Sequence, residues 1–321
     1  MDSAINKSEF SVFLLGNGFD LAHGLETSYS DFINSLESIS KSDKIKFARV
    51  FNPIPYNHKR EDREFKSSVL RRVKNNHERS LWSDIELTYY LILKEKIQEA
   101  KSSDSTTLFE RIERYNNDFE QVKDLLKEYL KDQVHGIEKG IPQFNRMISQ
   151  TNMNDGLIIN LNYTDYIRVL YPKCSLAKYH IHGQLNVDKN PIVFGFSPSS
   201  EQLIELFDEN ENELLKNIKQ TYYKRGALYH AMARINSRSL AQNSKYNLHL
   251  IGASCGLSDR TILEELITNE HLKKIYIHYY EDFEDYRKIQ INLMRTVGEK
   301  VVLDKLCPFP DCDPMPQIET S

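Results

Sequence analysis

The sequence predicts an α/β fold: a Rossmann-like, doubly wound parallel sheet carrying a large helical insertion. Three observations predict it. A mostly apolar run, Phe10 to Leu15, ends at the turn Gly16-Asn17-Gly18 near the N-terminus, and a strand followed by a glycine turn and a helix opens such sheets. From Gly156 onward, short apolar runs alternate with stretches of helical periodicity, the rhythm of parallel strands joined by crossover helices. Between these parts the chain is rich in Lys, Glu, Arg and Asn and poor in strand-like runs. The expected organisation is therefore a sheet domain from 1–41 and 151–306, a helical insertion or cap over 42–150, and a tail over 307–321.

Each element has its own reason. Phe10 to Leu15 is long enough for one buried strand. After the glycine turn, the next structured segment is expected from about Thr27, where Ser28 and Asp31 have capping-box spacing. Tyr29, Phe32, Ile33 and Leu36 then recur at helical intervals. In the insertion, Ile112, Tyr115, Phe119, Val122, Leu126 and Tyr129 form one apolar face, and Trp82, Ile85, Tyr89, Tyr90 and Leu93 another. Asn52 to Glu64, with Pro53 and Pro55, reads as a loop able to close over a site. Further strands are expected at Leu157–Leu161, Tyr179–His182, Ile192–Phe194, Asn247–Ile251 and Lys274–Tyr279. Helices are expected over about 200–237, 260–272 and 284–297. Pro308 to Ser321 reads as a loose tail.

Composition narrows the function classes. The chain has 321 residues and a formal net charge of -4, so no global basic field invites nucleic acid. The runs Lys59-Arg60 and Arg71-Arg72-Val73-Lys74 have acidic neighbours and read as solvated helix faces. The four cysteines, Cys174, Cys255, Cys307 and Cys312, include no CxxC pair, which argues against a disulfide scaffold or a four-thiolate zinc site. No apolar run approaches the ~18 residues of a membrane span and no signal pattern opens the chain, so a cytoplasmic protein without a membrane partner is expected.

Ligands of open α/β sheets sit beyond the carboxyl ends of the strands. The residues expected there are Gly16-Asn17-Gly18, then Asn162-Tyr163-Thr164-Asp165, then His182-Gly183, and finally Gly252-Ala253-Ser254 with Asp259. Four turns, mostly small or polar, are expected to converge on one crevice and bind a nucleotide. Backbone N–H groups at Gly16 and Gly18 would face its phosphates. Each residue also has a structural reading: Asn162 as a helix cap, His182 as a hydrogen-bonded core histidine, Asp259 as a first-turn acid. Ser83 with Glu86, in Trp82-Ser83-Asp84-Ile85-Glu86, reads as a capping box.

The stretch Leu15-Gly16-Asn17-Gly18-Phe19-Asp20-Leu21-Ala22-His23-Gly24-Leu25-Glu26-Thr27-Ser28-Tyr29, taken with Trp82 to Glu86, Asn160 to Asp165, His180 to Gly183 and Gly252 to Asp259, resembles the AbiH family of phage abortive-infection proteins. More distantly, the order of turns is similar to sirtuin-like NAD-binding domains. That resemblance implies a phosphate loop at Gly16 and Gly18, an asparagine near the nicotinamide ribose at Asn162, a catalytic histidine at His182, and a late dinucleotide-contacting turn at Gly252 and Ser254. Asn17, Phe19, Asp20, His23, Gly183 and Asp259 complete the implied contact set. Two departures stand out: Asn17 replaces an alanine, and Asp165 lies one place later than the sirtuin aspartate because Thr164 intervenes. The zinc ribbon of protein-deacylating sirtuins is absent, so the resemblance implies NAD breakdown rather than deacylation, with NAD(P) as substrate and no metal.

In that chemistry the nicotinamide leaves without a strong acid. Asn162 would orient ribose hydroxyls or a water, His182 would take a proton, and either Asp20 or Asp259 would supply negative charge or a ribose contact. The alternative is a non-catalytic module that holds NAD or ADP-ribose as a signal. A phage-derived trigger or partner protein and self-association are the remaining expectations.

Overall fold

The structure is a computed structural model that describes residues 10–53, 64–75, 82–101, 106–133, 140–149, 151, 155–198, 212–219, 222 and 226–318. The chain divides into two compact units, one of residues 1–25, 134–193 and 219–321, the other of 26–133 and 194–218.

The first unit holds the sheet. Its strands are β1 (Phe10–Leu15), β2 (Gly156–Asn160), β3 (Ala177–His180), β4 (Tyr246–Ile251) and β5 (Leu272–His278), all parallel in the order β3-β2-β1-β4-β5. This is a Rossmann-like arrangement with its switch point between β1 and β4. The three central strands are buried along their whole length, as parallel strands covered on both faces must be. On one face Val12, Leu14, Leu157, Ile159, Leu248 and Leu250 pack against α9 (Ala227–Gln242), α10 (Arg260–Ile267), α11 (Phe283–Val297) and α12 (Glu299–Lys305). On the other, Phe13, Leu15, Ile158 and Ile251 pack against α1 (Asn17–Ala22), α7 (Pro142–Ser149) and α8 (Tyr166–Leu170).

The second unit is built of α2 (Tyr29–Glu37), α3 (Lys44–Val50), α4 (Ser68–Asn75), α5 (Trp82–Lys101) and α6 (Thr106–Asp132), with residues 194–218. The Ser28–Asp31 capping box opens α2, and Tyr29, Phe32, Ile33 and Leu36 are its buried face. Tyr89 of α5 stacks on Tyr115 and Phe119 of α6, with ring centroids 5.0 and 4.1 Å apart.

Five expectations change. A short helix, α1, starts directly after Gly16, because a single turn suffices to carry Phe19 and Ala22 into the core, whereas the sequence placed the next element at Thr27. Ile192–Phe194 forms no strand, although Val193 N–H donates to the His182 carbonyl and an isolated bridge, Phe196–Ile218, follows it. Ser83 lies inside the first turn of α5 rather than before it. Glu299–Lys305 is a helix, α12, that the sequence did not mark. The tail is packed rather than loose: Cys312 and Met315 are buried, Met315 N–H donates to the Tyr279 carbonyl at 2.7 Å, and Ile318 N–H to that of Ala22 at 2.9 Å. Most of the Asn52–Glu64 loop, and most of residues 200–226 of the helix expected over about 200–237, lie outside the described residues.

Candidate functional site

The residues read from the sequence collect at the carboxyl ends of β1, β2, β3 and β4, inside the sheet-bearing unit. The rim is built on two backbone turns pressed together. After β1, Gly16 N–H donates to the Ile251 carbonyl at 2.9 Å and Gly18 N–H to the Gly252 carbonyl at 2.8 Å, while Phe19 N–H donates back to Gly16 at 2.9 Å. Gly252 has a φ of +62°, and a Cβ placed on it would lie 2.3 Å from the Phe19 nitrogen and 2.4 Å from the Gly18 carbonyl carbon. Glycine is required there both by the left-handed backbone and by the approach of the two chains. The turns after β1 and β4 thus lock together at the switch point.

This corrects one expectation. The N–H groups of Gly16 and Gly18 are spent inside the protein, so they do not form a phosphate cradle; the glycine pattern reflects turn-on-turn packing.

Asn162 lies in the turn after β2. Its side-chain N–H groups donate to the Gly16 carbonyl at 3.1 Å and to Asp20 Oδ1 at 2.9 Å. Among the described residues no donor is seen on its Oδ1, which leaves an acceptor at the rim. The turn is shaped by Asn160, whose Oδ1 accepts the Asn162 N–H at 3.0 Å and whose Nδ2 donates to the Thr164 carbonyl at 3.1 Å. Thr164 donates its hydroxyl to the second oxygen of Asp20 at 2.5 Å. Asp20 is buried, and burial pushes its carboxyl up to about 7 although both hydrogen bonds pull the other way. A carboxyl that changes charge near neutrality therefore sits directly behind Asn162.

His182 follows β3. Its Nε2 is 2.9 Å from Asp259 Oδ1, and its carbonyl accepts from Val193 N–H at 2.8 Å. Gly183, at φ +81°, makes the turn that this pairing needs. Burial, then the Lys219 charge, lower the His182 pKa from its ordinary value, with Asp259 opposing. Burial raises the Asp259 carboxyl, but Lys219 and His182 together hold it below the usual range. The lowered pKa favours the neutral imidazole, whose Nε2 faces the Asp259 carboxylate. Tyr163, next to Asn162, places its ring 6.4 Å from the His182 ring, so the turn after β2 reaches the glycine turn on one side and the imidazole on the other. Cys255, at φ +54° and buried, lies close enough to Asp259 for its thiol to be pushed up by burial and then by that charge.

Not every expected residue belongs to this rim. Phe19 and His23 are core residues: His23 Nδ1 is 2.7 Å from the Phe19 carbonyl, its Nε2 is 2.6 Å from the Tyr171 hydroxyl, and both rings pack with Phe144. Asn17 and Ser254 are half-buried, and the Ser254 carbonyl accepts from Asn292 at 2.9 Å. Asp165 faces the outer strands, bonded to His180 at 3.1 Å and Gln184 at 2.9 Å. Glu86 belongs to the helical unit, where its Oε1 accepts the Gly195 N–H at 3.1 Å. Sequence reasoning missed Thr164 as the partner of Asp20, although it stands inside the quoted Asn-Tyr-Thr-Asp turn, and it missed Lys219, which no local pattern marks.

Residues 12–295 match the family described as Bacteriophage abortive infection AbiH. The chain belongs to the AbiH family. No curated protein and no solved structure matches it significantly. Membership of AbiH places the chain in phage abortive infection; among its described residues no helix is long and apolar enough to cross a membrane.

Proposed function

We propose that this AbiH chain is an abortive-infection effector that takes NAD(P) at the sheet rim and hydrolyses the bond between nicotinamide and ribose. The observation that carries the reading is the His182–Asp259 pair at 2.9 Å, with burial lowering the imidazole pKa at the carboxyl end of an open parallel sheet. In the step proposed, a water forms a bond to the ribose C1′ as the C1′–nicotinamide bond breaks. The bonding electrons leave with nicotinamide, which departs uncharged. His182 Nδ1 takes the proton from the water, and Asn162 Oδ1 orients that water or a ribose hydroxyl. Asp259 keeps the imidazole in the tautomer that presents Nδ1, and Asp20 holds the Asn162 amide in place. The pyrophosphate is not assigned to the N–H groups of Gly16 and Gly18, which are already bonded.

The test is mass spectrometry of cell metabolites after expression, followed by NAD turnover with purified protein. Wild type is expected to deplete NAD and release nicotinamide, and His182→Ala to slow this by roughly 10²–10⁴-fold while staying folded. Unchanged turnover in that variant rejects the role. A second reading, a non-catalytic module that holds NAD or ADP-ribose as a signal and whose helical unit meets a partner protein, draws support from the same spent N–H groups. It predicts clear calorimetric binding with no nicotinamide release.

A further inference from the structure

Lys219 is an unusual residue to find buried: its side chain is 2% exposed. Its ammonium lies 3.7 Å from Asp259 Oδ1 and 3.4 Å from the Ser258 carbonyl. The oxygen it faces is the one that receives His182 Nε2 at 2.9 Å. One carboxylate oxygen is thus shared between a buried cation and a buried imidazole.

We propose that Lys219 is a positioning residue of the rim site, fixing Asp259 as the ionised partner of His182 and thereby setting which imidazole nitrogen carries the lone pair. The inference rests on reading His182 as the base of the proposed reaction. Charge balance explains the geometry. The Lys219 ammonium, 3.7 Å from Asp259 Oδ1, offsets part of the charge of the carboxylate that His182 faces. Protonating His182 would place a second cation beside the first, away from water, which is costly. Asp259 alone would do the reverse, since an unshared carboxylate favours imidazolium. Lys219 offsets that pull and leaves the hydrogen bond, which orients the ring. Among the described residues the groups facing His182 include Asp259 from the turn Leu257–Asp259, Lys219, and the Tyr163 ring; the Cys255 thiol faces Asp259 from the turn after β4. None but Lys219 supplies a positive charge among the described residues. A lysine kept only to tie its segment to the Ser258 carbonyl would leave the titration of His182 where it is.

The experiment follows the His182 ring by NMR across pH in the full chain, for wild type, Lys219→Met and Lys219→Arg, beside the pH profile of NAD turnover. In wild type the Nε2-protonated tautomer and a midpoint below that of a free histidine are expected. Lys219→Met is expected to raise the midpoint by about 1 pH unit or more and to move the acid limb of the turnover profile by the same amount. Lys219→Arg, which keeps the charge, is expected to restore both. A folded Lys219→Met with an unmoved His182 midpoint overturns the proposal, as does an arginine variant displaced as far as the methionine one. Should Lys219→Met fail to fold, the wild-type spectrum decides: an Nδ1-protonated ring, or a midpoint at or above the free value, overturns it. If wild type consumes no NAD, the hydrolase reading fails while the titration result stands by itself, so the two failures are distinct.

Discussion

Gly252→Ala is the sharpest probe of how the rim is built. Two costs add at this position. An alanine at φ +62° pays the left-handed penalty, about 1–2 kcal/mol. Its Cβ would also lie 2.3 Å from the Phe19 nitrogen, 2.4 Å from the Gly18 carbonyl carbon and 2.6 Å from the Gly18 Cα. All three are backbone atoms, so no side-chain rotation relieves the overlap, and the strain is about 1–3 kcal/mol or more. The sum is about 2–5 kcal/mol, a large part of the ~5–15 kcal/mol that stabilises a domain. Gly24→Ala is the internal control. Gly24 has φ +78°, but its added Cβ meets only an Ile318 methyl at 3.9 Å, so only the backbone cost of about 1–2 kcal/mol applies. For a unit of this size each kcal/mol moves the melting temperature by about 2–4 °C. Calorimetry or circular dichroism of the sheet-bearing unit's transition in the full chain should show a loss of roughly 4–20 °C for Gly252→Ala and 2–8 °C for Gly24→Ala. If the two variants melt together, the argument that the glycines serve turn-on-turn packing is wrong. The reading in which they make room for a phosphate would then regain ground.

The remaining predictions concern charge and the tail. His278 is buried beside His249, 3.2 Å away, and burial lowers its pKa to about 4, with Asp313 opposing. Between that value and an unfolded value near 6.5 the unfolded chain binds more protons, so this stabilisation is whole above 6.5 and is lost as pH falls toward 4. The loss is about 3 kcal/mol, and His278→Gln should flatten the urea midpoint over that range. Asp20 works in the opposite sense: its folded value near 7 lies above the unfolded 3.8, so its contribution is whole below 3.8 and is lost as pH rises through 7, by about 4 kcal/mol. The urea midpoint of Asp20→Asn, measured from pH 4 to 9, should lack that decline; an unchanged slope would refute the burial argument. Met315→Ala should destabilise the sheet-bearing unit by about 2 kcal/mol or more, since Met315 is buried against the face that holds Phe13 and Leu15. A loose tail would leave the melting temperature unmoved.

Much of this architecture was legible locally. A strand covered on both faces must be a short apolar run, and Phe10–Leu15, Leu157–Ile159 and Leu248–Ile251 announce themselves. The ends of those runs place Asn162, His182 and Gly252 at one rim before any coordinates are seen, because a parallel sheet gathers its carboxyl ends. The exceptions have physical causes. Ile192–Phe194 has the composition of a strand, yet beyond the Val193 N–H bond to the His182 carbonyl it builds no ladder among the described residues. The tail has proline-rich text, yet its apolar residues find a surface to cover.

What the sequence by itself determined is five of the expected strands, the glycine turns and the family, all of which are written in neighbouring residues. Only the tertiary structure decided what those residues do. Hydrogen bonds between Asn162 and Asp20, His182 and Asp259, and Gly18 and Gly252 join positions 142, 77 and more than 200 residues apart, and whether an N–H group is offered to a ligand or already bonded depends on a partner that no local pattern names. The same holds for Lys219, an ordinary lysine by its neighbours in the chain, whose meaning comes from the carboxylate that folding places beside it.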